Sequence, residues 1–427
     1  MKPLLILAAS AGLLCAQIAT TEVSAPQITS MQMLRRAEMM GDLKTVENLL
    51  ASGFDANTSD RLGQTPLLFG MTLGRPGVVE LLLAYHADPN APMTGANPHS
   101  LTPLQYAADR GDLVIARSLI AAGARVNDKG GSGRTPLHYA LTSHLDVMRL
   151  LIEKGADVNI RDSEGASPLD DAVWRGNLDA AAIVLAHGAR LNEPDTQTGA
   201  TPVNEAAFRG HMEVVRYLLQ LHPDVTIADN RGYTPLQNAI RTGREDAALL
   251  LLDAQPPAQR TMQFFGKTME AAVGKDQALV AEAVLRQGMT ANEVLPSGYT
   301  PLDAAAFGGA PKVARMLLDH GADPNAAGKD GTAPLEDAAG KGFDSMADTL
   351  LTHGARVNQG NTSTGATALY AAASSGHLST VKLLLDRGAN ASACGGNRKT
   401  PYQTAIENGH ADIAAEIKSR GGSDRCR

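Results

Sequence analysis

The sequence predicts an all-α repeat solenoid of about twelve stacked helix–turn–helix units joined by β-hairpin-like connections. Three observations carry that expectation: a short motif that returns in register, amphipathic text between its copies, and a scarcity of large rings. Thr-Pro-Leu or a close variant begins at Thr65, Thr102, Thr135, Ser167, Thr201, Thr234, Thr300, Ala333, Thr367 and Thr400. Most successive starts are 32–34 residues apart, and the interval from Thr234 to Thr300 is 66, twice 33. A fixed period of this size is the signature of a repeat architecture, in which each unit stacks on its neighbours to close its core. With 1 Trp, 8 Tyr and 7 Phe among 427 residues, many small Leu/Ala/Val layers are favoured over one large core.

The elements follow in order. Met1-Lys2 and the apolar run Pro3–Ala16 match a secretory signal and are too short for a comfortable transmembrane helix. Residues 1–16 are therefore expected to be a signal peptide, cleaved after Ala16, and residues 17–30 a spacer. An N-terminal stack over residues 31–255 opens with an incomplete unit, Met31–Asn57, and has extra residues near Met93–Ser100 that suit a longer loop. Residues 256–266 form an irregular Pro-containing joint, because Pro256-Pro257 opposes a regular helix end and hairpin. That joint is expected to bend or loosen the stack, with about six units on each side, and to be cut by protease near Ala258. A C-terminal stack over residues 267–422 begins with a degenerate unit, Lys267–Asn292, and residues 423–427 form a tail.

Within a unit the local chemistry is legible. In Asp229–Gly243 (DNRGYTPLQNAIRTG), Asp and Gly suit a tight turn, Thr234 can cap a helix, and Pro235 fits its first position. In Gly111–Asn127 (GDLVIARSLIAAGARVN), Leu113, Ala116, Leu119 and Ile120 recur at helical spacing, and Gly123 stops that second helix.

Helix, turn, helix and hairpin at this period resembles the ankyrin repeat. The matching text includes GRTPLHYA at Gly133–Ala140, EKGADVN at Glu153–Asn159 and DHGADPN at Asp319–Asn325, and the resemblance covers roughly Met31 to Gly422. Departures are His86 in place of Gly, a residue lost around Ser143-His144, and Leu221-His222-Pro223 near Asp224. The resemblance implies a concave contact face lined by first helices and hairpin tips, and a His138 ring that hydrogen-bonds between repeats.

Chemistry-bearing patterns are scarce. Gly266-Lys267-Thr268 resembles the end of a phosphate-binding loop, but Thr261 stands where that loop needs its first Gly. The histidines follow the period: His187, His320 and His353 precede the Gly ending a second helix, and His211, His377 and His410 follow the Gly between helices. No HExxH spacing or Cys/His cluster points to a metal. Asp170-Asp171 and Glu336-Asp337 fall early in first helices, where negative charge complements the helix dipole. No catalytic residue, metal or cofactor is expected, and an added enzyme domain has no room at either end.

On the resemblance, the positions before the inter-helix Gly and after the hairpin Gly fall on the contact face. These carry Arg110, Trp174, Arg175, Phe208, Arg209, Arg241 and Phe307, together with Arg134, Tyr233 and Tyr299. Trp, Tyr and Arg are over-represented among interface hot spots, so these ten are the candidate partner-binding residues on one continuous strip. A net charge of −7 and the absence of a Lys/Arg block argue against a nucleic-acid partner. Downstream of the leader no apolar run approaches the roughly 20 residues that span a bilayer, so no stable membrane insertion is expected once the signal is removed. Cys394 and Cys426 are a candidate disulfide, 32 residues apart, which only the tail around Gly421-Gly422 could close.

The resulting expectation is an exported, non-enzymatic, monomeric ankyrin-type scaffold that binds other proteins. The bacterial periplasm is the first compartment and release outside the cell the second. The alternative is a secreted effector that binds a host or competitor protein.

Overall fold

A computed structural model describes residues 29–60, 63–92, 101–142, 144–395 and 398–426. The expected signal, most of the spacer and the longer loop at 93–100 lie outside the described residues. Two compact units are formed, the first ending at Pro168 and the second spanning Leu169–Arg427. Among the described residues there are twenty-four α-helices and no strands, with one isolated bridge between Gly360 and Thr367. The helices make twelve successive pairs, so the all-α repeat solenoid read from the sequence is the fold observed.

In the first unit the pairs are α1 (Ser30–Met40) with α2 (Leu43–Ala51), and α3 (Pro66–Thr72) with α4 (Pro76–Ala84). They continue with α5 (Pro103–Arg110) and α6 (Leu113–Ala121), then α7 (Pro136–Ala140) and α8 (Leu145–Glu153). First helix packs on first helix and second on second throughout this unit. The core is small and continuous: Leu104, Ala107, Ala108, Ala116 and Leu119 are all buried.

The second unit begins with α9 (Pro168–Arg175) and α10 (Leu178–Ala186), α11 (Pro202–Arg209) and α12 (Met212–Gln220), and α13 (Pro235–Arg241) and α14 (Glu245–Asp253). A 3₁₀ turn at Pro257–Gln259 leads into α15 (Met262–Val273) and α16 (Ala278–Arg286). Then come α17 (Pro301–Gly308) with α18 (Pro311–Asp319), and α19 (Pro334–Gly340) with α20 (Asp344–Thr352). The last pairs are α21 (Ala368–Ser375) with α22 (Leu378–Asp386), and α23 (Pro401–Glu407) with α24 (Ala411–Ser419).

Caps and side-chain clips explain why the text repeats. Thr102, Thr234 and Thr400 each accept a backbone N–H three residues on, and Gln105, Gln237 and Gln403 return the bond. The Asn closing each hairpin ties its unit to the next. Asn90 donates to Gly123 O at 3.2 Å and accepts from Arg125 N at 2.8 Å, and Asn292 does the same with Gly321 O and Asp323 N at 3.1 and 2.7 Å. Asn57 uses both amide atoms in such a clip, and Asn361 is buried with its amide on Thr332, so the side chains of these two Asn-Thr-Ser sequences are occupied internally.

Departures from the repeat are absorbed locally. His86 and His222 take the left-handed backbone normally held by Gly, with φ of 64° and 53°, at a cost of roughly 1 kcal/mol each. The stretch after α14 is shorter than its sequence suggests: Thr261 accepts from Phe264 N and starts α15 at Met262, while Arg260 donates to Asp253 O and Gln255 O. Across it, α14 packs on α16 and α13 on α15. At the other end Cys394 and Cys426 form a disulfide with Cα atoms 5.4 Å apart. The tail turns back to make it, with Gly422 N on Ile417 O and Thr400 Oγ1 donating to Ser423 O at 2.7 Å.

Candidate functional site

In the second unit six of the candidate residues come together on the ends of three consecutive first helices. Trp174-Arg175 close α9, Phe208-Arg209 close α11, Arg241 closes α13, and Tyr233 sits on the hairpin before α13. The guanidinium of Arg209 lies 4.5 Å from the Trp174 ring centre, and that of Arg175 lies 6.0 Å from the same ring. Arg241 reaches two rings, Tyr233 at 5.0 Å and Phe208 at 5.6 Å. Cation–π contacts of this kind are worth about 0.5–1 kcal/mol at exposed sites, and they hold long side chains in place.

Hydrogen bonds beneath the rings fix the array. Arg209 Nε is paired with Glu205 one turn back on α11. Arg241 donates to Asn238 Oδ1 at 3.0 Å; Asn238 in turn donates to Asn204 Oδ1 at 2.7 Å and Asp229 Oδ2 at 2.8 Å. Asn204 donates to Tyr233 O at 3.0 Å, so the hairpin carrying that ring is pinned to the preceding repeat. His211 Nε2 donates to Trp174 O at 3.2 Å and anchors the end of α9. Trp174 nevertheless remains 52% exposed, and Arg175 is also exposed. Leaving an indole half in water forfeits the burial that large rings normally supply to a core.

Two other candidates, Phe307 and Tyr299, lie apart from this group within the second unit. Phe307 is exposed with the Lys341 ammonium 4.5 Å from its centre. Tyr299 has Lys329 at 4.9 Å and donates to Asp330 Oδ2 at 3.4 Å. These two flank α17, and α15 packs between α13 and α17, so the strip is interrupted within the second unit. Arg110 and Arg134 belong to the first unit. Arg110 stacks 5.7 Å from Tyr106, and Arg134 stacks 5.9 Å from Tyr139 while pairing with Asp162 at 3.3 Å. The supporting residues Asn204, Asn238, Lys329 and Lys341 escape a reading by residue type; the third and fourth places after the Thr cap are the signal that locates the two Asn.

A buried acidic group is the other finding the sequence underplays. Asp303 on α17 and Glu336 and Asp337 on α19 occupy the expected first turns, but dipole complementarity does not describe them. Asp303 is fully buried and no N–H or hydroxyl reaches either carboxyl oxygen, its hydrogen-bonding neighbour being the Asp337 carboxyl. Burial, and then the charge of Asp337, raise it well above the usual carboxylate range. Burial likewise raises Asp337, against the opposing contact with Asp303, and pushes Glu336 up to about 7. In three other repeats the same slot holds a hydrogen-bond donor to the next repeat, Gln105, His138 and Asn204. Gln105 Nε2 donates to Asp128 O and Arg134 O at 3.0 and 2.7 Å. His138, fully buried, bonds Thr135 through Nδ1 and Ala166 O through Nε2 at 3.3 Å, the expected link to the next repeat. Burial lowers its pKa to about 4, against the raising effect of the Ala166 bond.

Three histidines at second-helix ends bond to the backbone. His187, His320 and His353 donate Nδ1–H to the carbonyls of Ile183, Met316 and Thr349, each at 2.8 Å. Gly266-Lys267-Thr268 lies inside α15, and a Cβ on Gly266 would come within 2.8 Å of Pro296 Cδ, so that glycine serves packing. Among the described residues no three His, Cys, Asp or Glu are placed to hold a metal ion, and no helix is long and apolar enough to cross a membrane.

A family profile described as "Ankyrin repeats (3 copies)" matches residues 34–130, 104–195, 169–260, 268–361 and 335–424. The chain belongs to the ankyrin-repeat family. Among curated proteins, cyclin-dependent kinase 4 inhibitor B of Bos taurus is 37% identical over 118 residues, covering 27% of this chain and 86% of that protein. The putative ankyrin repeat protein YahD of Escherichia coli (strain K12) is 38% identical over 90 residues, covering 20% of this chain and 43% of that protein. Among solved structures, the ankyrin repeat domain of Bcl-3 is 29% identical with a TM-score of 0.47, covering 52% of this chain and 97% of that one.

Proposed function

We propose that this ankyrin-repeat chain is an exported, non-enzymatic scaffold that recognises other proteins through the face carrying Trp174, Arg175, Phe208, Arg209, Tyr233 and Arg241. The observation that carries the reading is the half-exposed Trp174 held between Arg175 and Arg209. In a chain with one Trp and 4% aromatic residues, placing that ring in water on pinned helix ends favours a hot spot over a packing role. The kinase inhibitors among the relatives, named for acting on another protein, support a protein partner. Export is supported by the apolar leader at residues 3–16 and by the Cys394–Cys426 disulfide, since such bonds persist in oxidising compartments. Bacterial origin, the periplasm and a monomeric state remain part of this proposal.

Replacing Trp174, Arg175, Phe208 and Arg209 together should abolish capture of a native partner with helical content unchanged; undiminished capture would reject this face. A second reading, release as an effector that binds a host or competitor protein, is favoured equally by the leader and the disulfide. Partner capture from the periplasmic fraction separates the first from the second, which requires capture from outside the cell.

A further inference from the structure

We infer that the occupant of this face is an extended acidic segment of a partner protein, with carboxylates on every third residue, laid across the ends of α9, α11 and α13. The inference rests on the protein-binding reading of that face and specifies the partner's chemistry.

The first argument is charge. Each of the three helices ends in one arginine, Arg175, Arg209 and Arg241, and each guanidinium lies beside an aromatic ring. A stacked guanidinium keeps the N–H groups at its edge free to donate in the ring plane, a geometry matched to carboxylate oxygens. Arg209 is partly neutralised by Glu205. Arg175 and Arg241 have no carboxylate partner among the described residues, and Arg241 Nε is buried without an acceptor. Two uncompensated cations thus flank a third that is locked over Trp174.

The second argument is spacing. Stacked helices lie about 8–10 Å apart, so the three arginines recur at about that interval. An extended chain in the polyproline-II conformation rises about 3.1 Å per residue with three residues per turn, so its side chains return to the same face about every 9 Å, at each third residue. A segment of the form acidic-x-x-acidic-x-x-acidic therefore meets one guanidinium per repeat. The residues between can lie on Trp174 and Tyr233, whose exposed rings otherwise face water. A polyanion such as nucleic acid fits less well, because the net charge is −7 and Arg209 is already paired with Glu205.

The test uses the full chain and fluorescent twelve-residue peptides read by anisotropy. One carries four Glu at every third position with Ser and Leu between; a second has the same composition with its four Glu at alternate positions in the middle of the peptide; a third has Gln for Glu. The every-third peptide should bind at least ~10-fold more tightly than either control, and weaken as salt is raised. R175Q combined with R241Q should cost ~10-fold or more, and W174A a smaller factor, with circular dichroism unchanged. Equal binding of the Glu and Gln peptides, no loss in R175Q/R241Q, or tighter binding of a twelve-nucleotide single-stranded DNA would overturn the inference. Failure of the peptides while the quadruple substitution still abolishes native capture would sink the acidic-segment idea and leave the face standing. Undiminished native capture would remove the face itself.

Discussion

Replacing Asp303 with Asn should make the second unit more resistant to denaturant at neutral pH, and the gain should grow as pH rises. Asp303 fills the slot from which Gln105, His138 and Asn204 bond to a backbone carbonyl of the following repeat. It is fully buried, no N–H or hydroxyl reaches it, and the carboxyl beside it is Asp337. Its Oδ2 presses so closely on the next hairpin that a Cβ on Gly328 would come within 2.2 Å. A carboxyl held neutral by the fold binds a proton that the unfolded chain releases above about pH 4. Stability from this group is therefore greatest at acid pH and falls as pH rises. At about 1.4 kcal/mol per pH unit the loss approaches about 4 kcal/mol at pH 7, an upper limit that a proton shared with Asp337 reduces. Asn removes the titration and supplies an N–H worth about 1 kcal/mol. The expected net gain is about 1–3 kcal/mol at pH 7, shrinking to about 1 kcal/mol or less near pH 4.5. Guanidinium titrations followed by circular dichroism at pH 4.5, 7 and 8.5 measure it. A midpoint for Asp303→Asn at or below wild type at pH 7, or a shift independent of pH, would refute the reasoning.

Three further outcomes follow from the same geometry. Neutral His138, with its pKa lowered to about 4 by burial, should cost the first unit up to about 3 kcal/mol as pH falls from 6.5 through 4. His138→Gln should abolish that acid sensitivity in urea titrations; an unchanged pH slope would exclude the ring as its source. Opening the 32-residue loop closed by Cys394–Cys426, with Cys394→Ser, should destabilise the terminal repeat by about 3–4 kcal/mol on chain-entropy grounds. Hydrogen exchange should show the loss confined to α23 and α24, and equal protection with and without the bond would contradict it. Limited proteolysis should cut near Ala258, in the exposed turn between α14 and α15; cuts spread evenly over the stack would count against a weak joint.

The fold was open to reading because the same physical problem is solved twelve times. A Thr cap, a first-position Pro, a stop after each helix and an Asn clip recur in register, so errors at one copy are corrected by the others. Only local lengths escaped. Thr261 restarts a helix without a Thr-Pro-Leu motif, and the first pair is fuller than expected because Thr29 and Gln32 form a capping box. The candidate site was legible by residue type and slot, which brought Trp174, Arg175, Phe208, Arg209, Tyr233 and Arg241 together. Continuity was not legible. Whether a ring at Tyr299 or Phe307 joins its neighbours depends on which cation leans over it, and Lys329 and Lys341 come from the following repeat. The acidic group was missed for a related reason: a first-turn position predicts a favourable dipole, while burial by the next hairpin is a property of the stack.

The two buried slots give the repeats around them opposite responses to pH, while Glu38 on α1 of the first unit, pushed up to about 8 by burial, responds as the acidic slot does. In the first unit His138 must stay neutral, so protons favour the unfolded chain below about pH 6.5. In the second, Asp303, Asp337 and Glu336 are all raised by burial, so protons favour the folded chain as pH falls toward the ordinary carboxylate range. Because solenoid stability is nearly a sum of local terms, these effects need not cancel within one cooperative transition. Acidification should therefore loosen α7 and its neighbours while tightening α17 and α19, and mild alkali should loosen α17 and α19 while leaving α7 unchanged. Hydrogen exchange at pH 5 and pH 8, corrected for intrinsic rates, would show α7 better protected at pH 8 and α17 and α19 better protected at pH 5. A uniform change across both slots would mean that the buried histidine and the buried carboxyls do not control local stability.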